Sequence, residues 1–386
     1  MRRTFLFFRQ RIIPRDAGIL EPSRKKQGWT MEQFALKPVI YFGADALGAL
    51  EQLRGRRVLV VTDAFLAKSG LLDRVRRRLG EHLEIFDQVV PDPPLSLVAQ
   101  GVARYRAFQP QVILAFGGGS PMDCAKGIRY FAQGEPCPLW CVPTTAGTGS
   151  EVTSFAVLTD QEAGVKYPLV DNALTPDAAV LDASLLDGVP PTVTTDTGMD
   201  VLSHAAEAAV ARGASPFSAA LADAAFALAF SSLPQARREP GEARGDMLHA
   251  SCLAGMAFNA AGLGICHGLA HALGGRFHVP HGRLNALLLP HVIRFNARDG
   301  RAARRYAQLA RRCGLGGTPH ALAGALARLA GRLEVPPTLS ACGVDRGQVL
   351  AALPQITQAA QADRCTPGNP IQPTPAQLEG LVREIL

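Results

Sequence analysis

Two short stretches of this chain hold the side chains best suited to bind a metal and move a proton. The first, TGMDVLSHAAEA, carries Asp200 and His204, an i,i+4 spacing that places both on one face of a helix. Thr197 stands where it could cap that helix. The second, GICHGLAHALGGRFHVPHGR, carries His267, His271 and His281, and five of the nine histidines fall between residues 267 and 291. One carboxylate and several imidazoles form an N/O donor set suited to Fe²⁺, Zn²⁺ or another divalent ion. Asp200, His204, His267 and His281 are the candidate ligands. A catalytic metal keeps one position open for substrate and leaves the proton to another group. His271, one turn after His267, is placed for that relay, although its spacing would equally make it a ligand. His278 and His291 read as structural or surface residues.

A second kind of chemistry sits upstream. In AFGGGSPMD, Gly117, Gly118, Gly119, Ser120 and Asp123 follow an apolar strand and open a helix. Glycines let a backbone approach a pyrophosphate, and a helix start offers free N–H groups. The turn lacks the GxGxxG fingerprint. PTTAGTGSE adds the hydroxyls of Thr144, Thr145 and Thr148 on a loop after a strand, donors and acceptors for phosphate or ribose. Asp63 ends the strand RRVLVVTD. An acid there binds ribose hydroxyls and repels a 2′-phosphate, which favours NAD over NADP. It serves equally as a helix N-cap.

The elements that must position these residues change character along the chain. The first half alternates apolar strands (RRVLVVTD, EIFDQVV, QVILAFGGGS, PLWCVP) with helical stretches, the pattern of a parallel sheet covered on both faces. FAVLTD and KYPLVD flank a hairpin. Beyond Pro191 the Ala-rich segments have helical period, and the helix carrying His267 and His271 is predicted to stop at Gly274-Gly275. The expectation is an α/β dinucleotide-binding domain over 31–190 and an α-helical metal-binding domain over 191–386. The length of 386 residues suits two domains. Residues 1–30 form a basic extension expected to be disordered, with Met31 opening the folded protein.

Composition excludes several classes. With 47% apolar and 19% charged residues the chain is globular rather than disordered. Of the net charge of +7, residues 1–30 supply +6 and the rest +1, so the body has no basic face for nucleic acid. No apolar run approaches the roughly 20 residues of a membrane span, and MRRTFLFFRQRII is too short in its apolar part for a secretory signal. A cytoplasmic enzyme with no membrane partner is expected. The eight cysteines match no zinc pattern and need form no disulfides. Cys266 reads as a buried small apolar residue.

Taken together, GGGSPMD, PTTAGTGSEVT, TGMDVLSHAAEA and GICHGLAHALGGRFHVPHGRLNALLLP resemble the iron-containing (group III) alcohol dehydrogenases, from about Met31 to the closing DRCTPGNPIQPTPAQLEGLVREIL. The resemblance implies an N-terminal dinucleotide-binding domain and a C-terminal helical domain of the dehydroquinate-synthase-like type. It implies metal ligation by Asp200, His204, His267 and His281, with His271 as the additional active-site histidine. It also implies cofactor contacts at Asp63, Gly118, Gly119, Ser120, Thr144, Thr145, Thr148 and Lys166. DAFLAKSGLLD, GVKYPLVDNALTPD and FHVPHGRLNALLLPHVIRFNA look most like the propanol dehydrogenases of propanediol utilisation and their ethanolamine-utilisation relatives. The implied activity is hydride transfer between NAD(H) and a short-chain alcohol or aldehyde, with Fe²⁺ as the metal and Zn²⁺ the alternative. The implied partners are a homo-oligomer and a bacterial microcompartment or aldehyde-producing enzyme. The rival readings are a polyol dehydrogenase of the glycerol or lactaldehyde type and a metal-dependent sugar-phosphate cyclase. The segment NPIQPT departs from the family where relatives often carry Arg after NP.

Overall fold

A computed structural model of the chain describes residues 33–132, 137–162 and 165–386; the basic extension and the expected start at Met31 lie outside the described residues. The chain folds as two compact units. Of the described residues, one holds those up to Ile40, Gly48–Val142 and Ser154–Ala179. The other holds Tyr41–Leu47, Pro143–Thr153 and Val180–Leu386.

One six-stranded sheet, with β2, β3 and β4 wholly in the first unit, is built from β1 (Val39–Phe42), β2 (Val58–Asp63), β3 (Leu83–Val89), β4 (Val112–Gly117), β5 (Leu139–Pro143) and β8 (Ala178–Leu181), in the order β1-β8-β5-β4-β2-β3. The pairings of β2 with β3, β2 with β4 and β5 with β8 are parallel. Val58 to Val61 and Val112 to Gly117 are buried throughout, as expected of strands covered on both faces. The helices between them are α1 (Ala64–Lys68), α2 (Leu71–Leu79), α3 (Leu95–Phe108) and α4 (Gly119–Phe131). β3 lies on one side of β2 and β4 on the other, so the strand order reverses there. Such a reversal opens a crevice at the carboxyl ends of the two strands, where Asp63 and Gly117 stand. The expected hairpin is present as β6 (Phe155–Asp160) and β7 (Val165–Val170). It is tied to α4 by the Val157 N–H, which donates to Asp123 at 3.0 Å, and by the buried Lys126, which donates to the Phe155 carbonyl at 2.7 Å.

The second unit is helical from α5 (Pro191–Val210) onward. It continues with α6 (Pro216–Arg238), α7 (Glu242–Ala261), α8 (Ile265–Phe277), α9 (His281–Asn296), α10 (Gly300–Arg312), α11 (Pro319–Arg332), α12 (Arg346–Ala362) and α13 (Pro375–Arg383). α5 packs on α6, α7 and α9, and α8 packs on α9 and α12. Two expected boundaries are corrected. Thr197 caps nothing: α5 already begins at Pro191, whose fixed φ suits a first helical position, and the Thr197 hydroxyl bonds back to the Val193 carbonyl at 2.9 Å. α8 runs through Gly274-Gly275 and ends at His278, which takes the left-handed conformation at φ 55°.

α6 also departs from expectation. An 18-residue window of its 23 residues reaches a mean hydropathy of 1.4, enough by length and composition to cross a membrane, a test that the core helix of a globular protein also passes. The sequence hid this because alanines, rather than leucines, supply the hydropathy. Inside the unit, Asp223 near the middle of α6 pairs with Arg305 at 2.7 Å and with Arg312 at 3.2 Å.

Candidate functional site

Three of the four candidate ligands converge. Asp200 of α5 presents Oδ1 3.6 Å from His267 Nε2 of α8 and 3.5 Å from His281 Nε2 at the start of α9. For metal–ligand bonds of about 2.1 Å, a tetrahedral site has edges of about 3.4 Å, so these separations fit one divalent ion. The Asn285 amide nitrogen lies 2.7 Å from Asp200 Oδ1, 3.0 Å from His281 Nε2 and 3.3 Å from His267 Nε2. One amide group thus stands against the carboxylate oxygen and both ring nitrogens, at the point where those three donor atoms come closest together.

His204 stands beside this trio. Its ring stacks between Phe258 and His267, both centroids at 4.5 Å, and its Nδ1 is 3.9 Å from Asp200 Oδ2. That nitrogen is buried and makes no hydrogen bond, so the ring keeps a donor atom unused by the protein. The donor atoms of the trio are carboxylate oxygen and imidazole nitrogen, which is the chemistry of Fe²⁺ or Zn²⁺ rather than of a soft metal.

A carboxylate that sequence reading missed holds His267. Glu207, two turns after Asp200 on α5, is 1% exposed. It accepts His267 Nδ1–H at 2.6 Å, Cys266 N–H at 2.7 Å and Gly264 N–H at 3.0 Å. It thus fills the open amides at the start of α8 and leaves His267 Nε2 for the trio, the usual outer partner of a metal-bound histidine. The electrostatics follow. Burial works against a charged His267 ring, but the bonds to Asp200 and Glu207 outweigh it and raise the ring to about 9. Burial pushes His204 down to about 4. His281, with 37% of its side chain exposed, moves down from the same cause. Burial would raise Asp200, yet the surrounding histidines hold it far below the carboxylate range.

His271 lies one turn beyond His267, its ring stacked on His281 at 5.1 Å and 14° with 42% of its side chain exposed. Its Nδ1 meets Asp363 Oδ2 at 2.9 Å. Asp363, His271 and Cys365 bring three donor atoms within 4.8 Å of one another. Burial pushes the Cys365 thiol far up, and Asp363 adds to the shift, so it remains a thiol rather than a metal-binding thiolate.

The cofactor candidates divide between the units. In the first, Gly118, Gly119 and Ser120 open α4 and are half-buried. Gly117 takes φ +150°, and a Cβ there would stand 2.5 Å from Pro121, so only glycine permits this strand-to-helix turn. Asp63 caps α1, accepting Leu66 N–H through Oδ1 at 2.9 Å. Asp123 is engaged by the hairpin, and Lys166 pairs with Asp92 at 2.7 Å. Thr144, Thr145 and Thr148 belong to the second unit. Their loop lies against α5 at Thr197, where a Cβ on Gly147 would stand 2.8 Å from the threonine. Thr144 is buried, Thr145 half-buried and Thr148 exposed.

Comparison with known proteins agrees along the chain. Residues 38–183 match the iron-containing alcohol dehydrogenase family, and residues 194–386 match the C-terminal part of the Fe-containing alcohol dehydrogenase family. The 1-propanol dehydrogenase PduQ of Salmonella typhimurium is 45% identical over 373 residues, 92% of this chain and 99% of that one. A crystal structure of 1,3-propanediol oxidoreductase superposes with a TM-score of 0.87 at 34% identity, covering 92% of this chain and all of the other. Sulfoacetaldehyde reductase from Bifidobacterium kashiwanohense, solved with NAD⁺, gives 0.84 at 27% identity over 92% of this chain and 99% of its own.

Proposed function

The chain belongs to the iron-containing alcohol dehydrogenase family, and from that premise we propose that it interconverts short-chain alcohols and aldehydes, propanol and propanal among them, using NAD(H) and Fe²⁺. The observation that carries this reading is the convergence of Asp200, His267 and His281. When bound, the ion draws electron density from the substrate oxygen and the nicotinamide supplies or accepts the hydride. Asp200, His267 and His281 would hold the ion, with His204 beside them as the fourth ligand. Glu207 keeps His267 in the tautomer whose Nε2 is free. In the reducing direction, His271 gives a proton from Nε2 to the oxygen that gains negative charge, and a water returns it; oxidation runs the same proton backwards. The apolar face of Phe258 beside the ligands favours an alkyl substrate over an acidic sugar.

For the cofactor, Gly117, Gly118, Gly119 and Ser120 receive the pyrophosphate at the start of α4, and Thr144, Thr145 and Thr148 offer hydroxyls. Asp63 uses one oxygen on Leu66 N–H, leaving the other for a ribose hydroxyl and its charge to repel a 2′-phosphate. Lys166 and Asp123 reach a cofactor only by exchanging the partners described above. The same reading assigns residues 31–190 to the cofactor and 191–386 to the metal. It extends to a cytoplasmic homo-oligomer working beside an aldehyde-producing enzyme, free or in a microcompartment. A cyclase has no support, since both matched families are alcohol dehydrogenases.

The test is NADH oxidation with propanal by anaerobically purified protein, before and after chelation and Fe²⁺ return. Activity should vanish and come back. An iron-loaded protein that leaves NADH untouched overturns the proposal. His267→Ala should lose metal and activity together, whereas His271→Ala should keep its metal and lose rate; a fully loaded His267→Ala variant counts against the ligand assignment.

A further inference from the structure

The proton role given to His271 requires a ring held in one orientation and one tautomer, although 42% of its side chain is exposed. Along its own helix the ring meets only the edge of His267, at 6.1 Å between centroids, a contact that selects no tautomer. The partner comes from 92 residues away, at the end of α12, where Asp363 meets His271 Nδ1 at 2.9 Å through Oδ2. The other oxygen of Asp363 accepts Cys365 N–H at 2.8 Å, so the carboxylate cannot swing without breaking a second bond.

The turn that carries Asp363 is itself seated on α8. A Cβ on Gly268 would stand 2.5 Å from Thr366 Oγ1 and 3.7 Å from the Asp363 Cβ. Thr366 is buried and its hydroxyl donates to the Ala360 carbonyl at 2.5 Å. Gly268 and His271 are three residues apart and share a helix face. The glycine that admits the turn and the histidine that the turn reaches therefore lie on one strip of α8.

We propose that Asp363 is a positioning residue for the reaction: by accepting the Nδ1 proton of His271 it fixes the ring beside His281 and leaves Nε2 as the nitrogen that exchanges the substrate proton. This rests on the proton role of His271 given above. The arrangement repeats the Glu207–His267 pair one turn along the same helix. There a fully buried carboxylate leaves Nε2 for a metal; here a carboxylate at the edge leaves Nε2 for a proton. The step is balanced. As the carbonyl carbon gains the hydride, the C–O π pair moves to oxygen; a His271 ring that has taken a second proton on Nε2 from water gives that proton to the oxygen and returns to the neutral form, whose Nδ1–H stays hydrogen-bonded to Asp363.

The test compares Asp363→Asn, Asp363→Ala and His271→Ala in the iron-loaded enzyme. Asn retains an acceptor for Cys365 N–H but loses the charge and can turn an N–H toward His271, favouring the wrong tautomer. Expected are an about 10- to 100-fold fall in kcat, little change in KM for aldehyde, unchanged iron content, and a solvent deuterium effect larger than in the parent. Asp363→Asn placed on His271→Ala should cost nothing more. ¹⁵N spectra of histidine-labelled protein should show His271 as Nδ1–H in the parent and as a mixture in Asp363→Asn. Wild-type kcat in Asp363→Asn, with His271→Ala slow, overturns the positioning role alone; wild-type kcat in His271→Ala overturns the reading beneath it. If Asp363→Ala unfolds, Asp363→Asn with a parental melting temperature carries the comparison.

Discussion

His267 is gripped on both ring nitrogens, by Glu207 at 2.6 Å and toward Asp200 at 3.6 Å. With the protein stripped by chelation, those carboxylates hold a proton on the ring up to about pH 9, whereas burial keeps His204 neutral above about 4 and His281 is lowered too. The sign follows. At pH 7 an incoming ion must displace the proton of His267 and of no other ligand, so affinity rises as pH rises and levels off near 9. Calorimetry of Fe²⁺ or Zn²⁺ binding in buffers of different ionisation heat should report about one proton released at pH 7; none, or three, contradicts this account. The convergent trio of Asp200, His267 and His281 was legible as a set of candidates because its members fall in two short segments rich in histidine. Glu207 and Asp363 were not, because their partners lie 60 and 92 residues away and only tertiary packing pairs them. Glu207 did leave a trace, seven residues after Asp200 and three after His204, on the same face of α5.

The ligands belong to three helices, so whatever holds α5, α8 and α9 in register holds the site. Arg283, two residues past His281, donates to both oxygens of Asp196, one turn before Asp200, at 3.2 and 2.9 Å. A planar fork fits a carboxylate in a way that an ammonium does not. Arg283→Lys should therefore weaken the α5–α9 contact by roughly 1–3 kcal/mol, lowering the melting temperature and the metal affinity together. Melting and metal titration on the same preparations check this, and a variant that melts early while binding metal as before breaks the link. At this scale the sequence showed which segments are helical but misplaced their ends. Pro191 rather than Thr197 begins α5, and six residues on the Thr197 hydroxyl is already inside the helix, bonded back to Val193. Gly274-Gly275 failed to stop α8 because helix packing overrides a weak local preference. The crevice at the ends of β2 and β4 was implied only by the β/α alternation; the strand order that creates it is not written in any one segment.

For the molecule as a whole, a site confined to the helical unit makes a spatial prediction. Metal at 100 times its dissociation constant stabilises the state that binds it by about 2.7 kcal/mol. Hydrogen exchange on the intact protein should show slower amides in α5, α8 and α9 on Fe²⁺ addition and unchanged amides in β2 and β4; protection spread evenly over both sets is the contrary result. The two-part organisation was visible in composition, while the return of Pro143–Thr153 to the helical unit was not, because a polar loop carries no periodic signal of where it docks. The ion pairs of α6 carry a consequence for synthesis. Asp223 precedes Arg305 by 82 residues, and at about 5–20 residues per second that is roughly 4–16 s during which a segment with the hydropathy of a membrane span has left the ribosome before its neutralising arginines exist. Through that interval Asp223 is a charge on an apolar helix still waiting for the two arginines of α10 that pair with it in the folded unit.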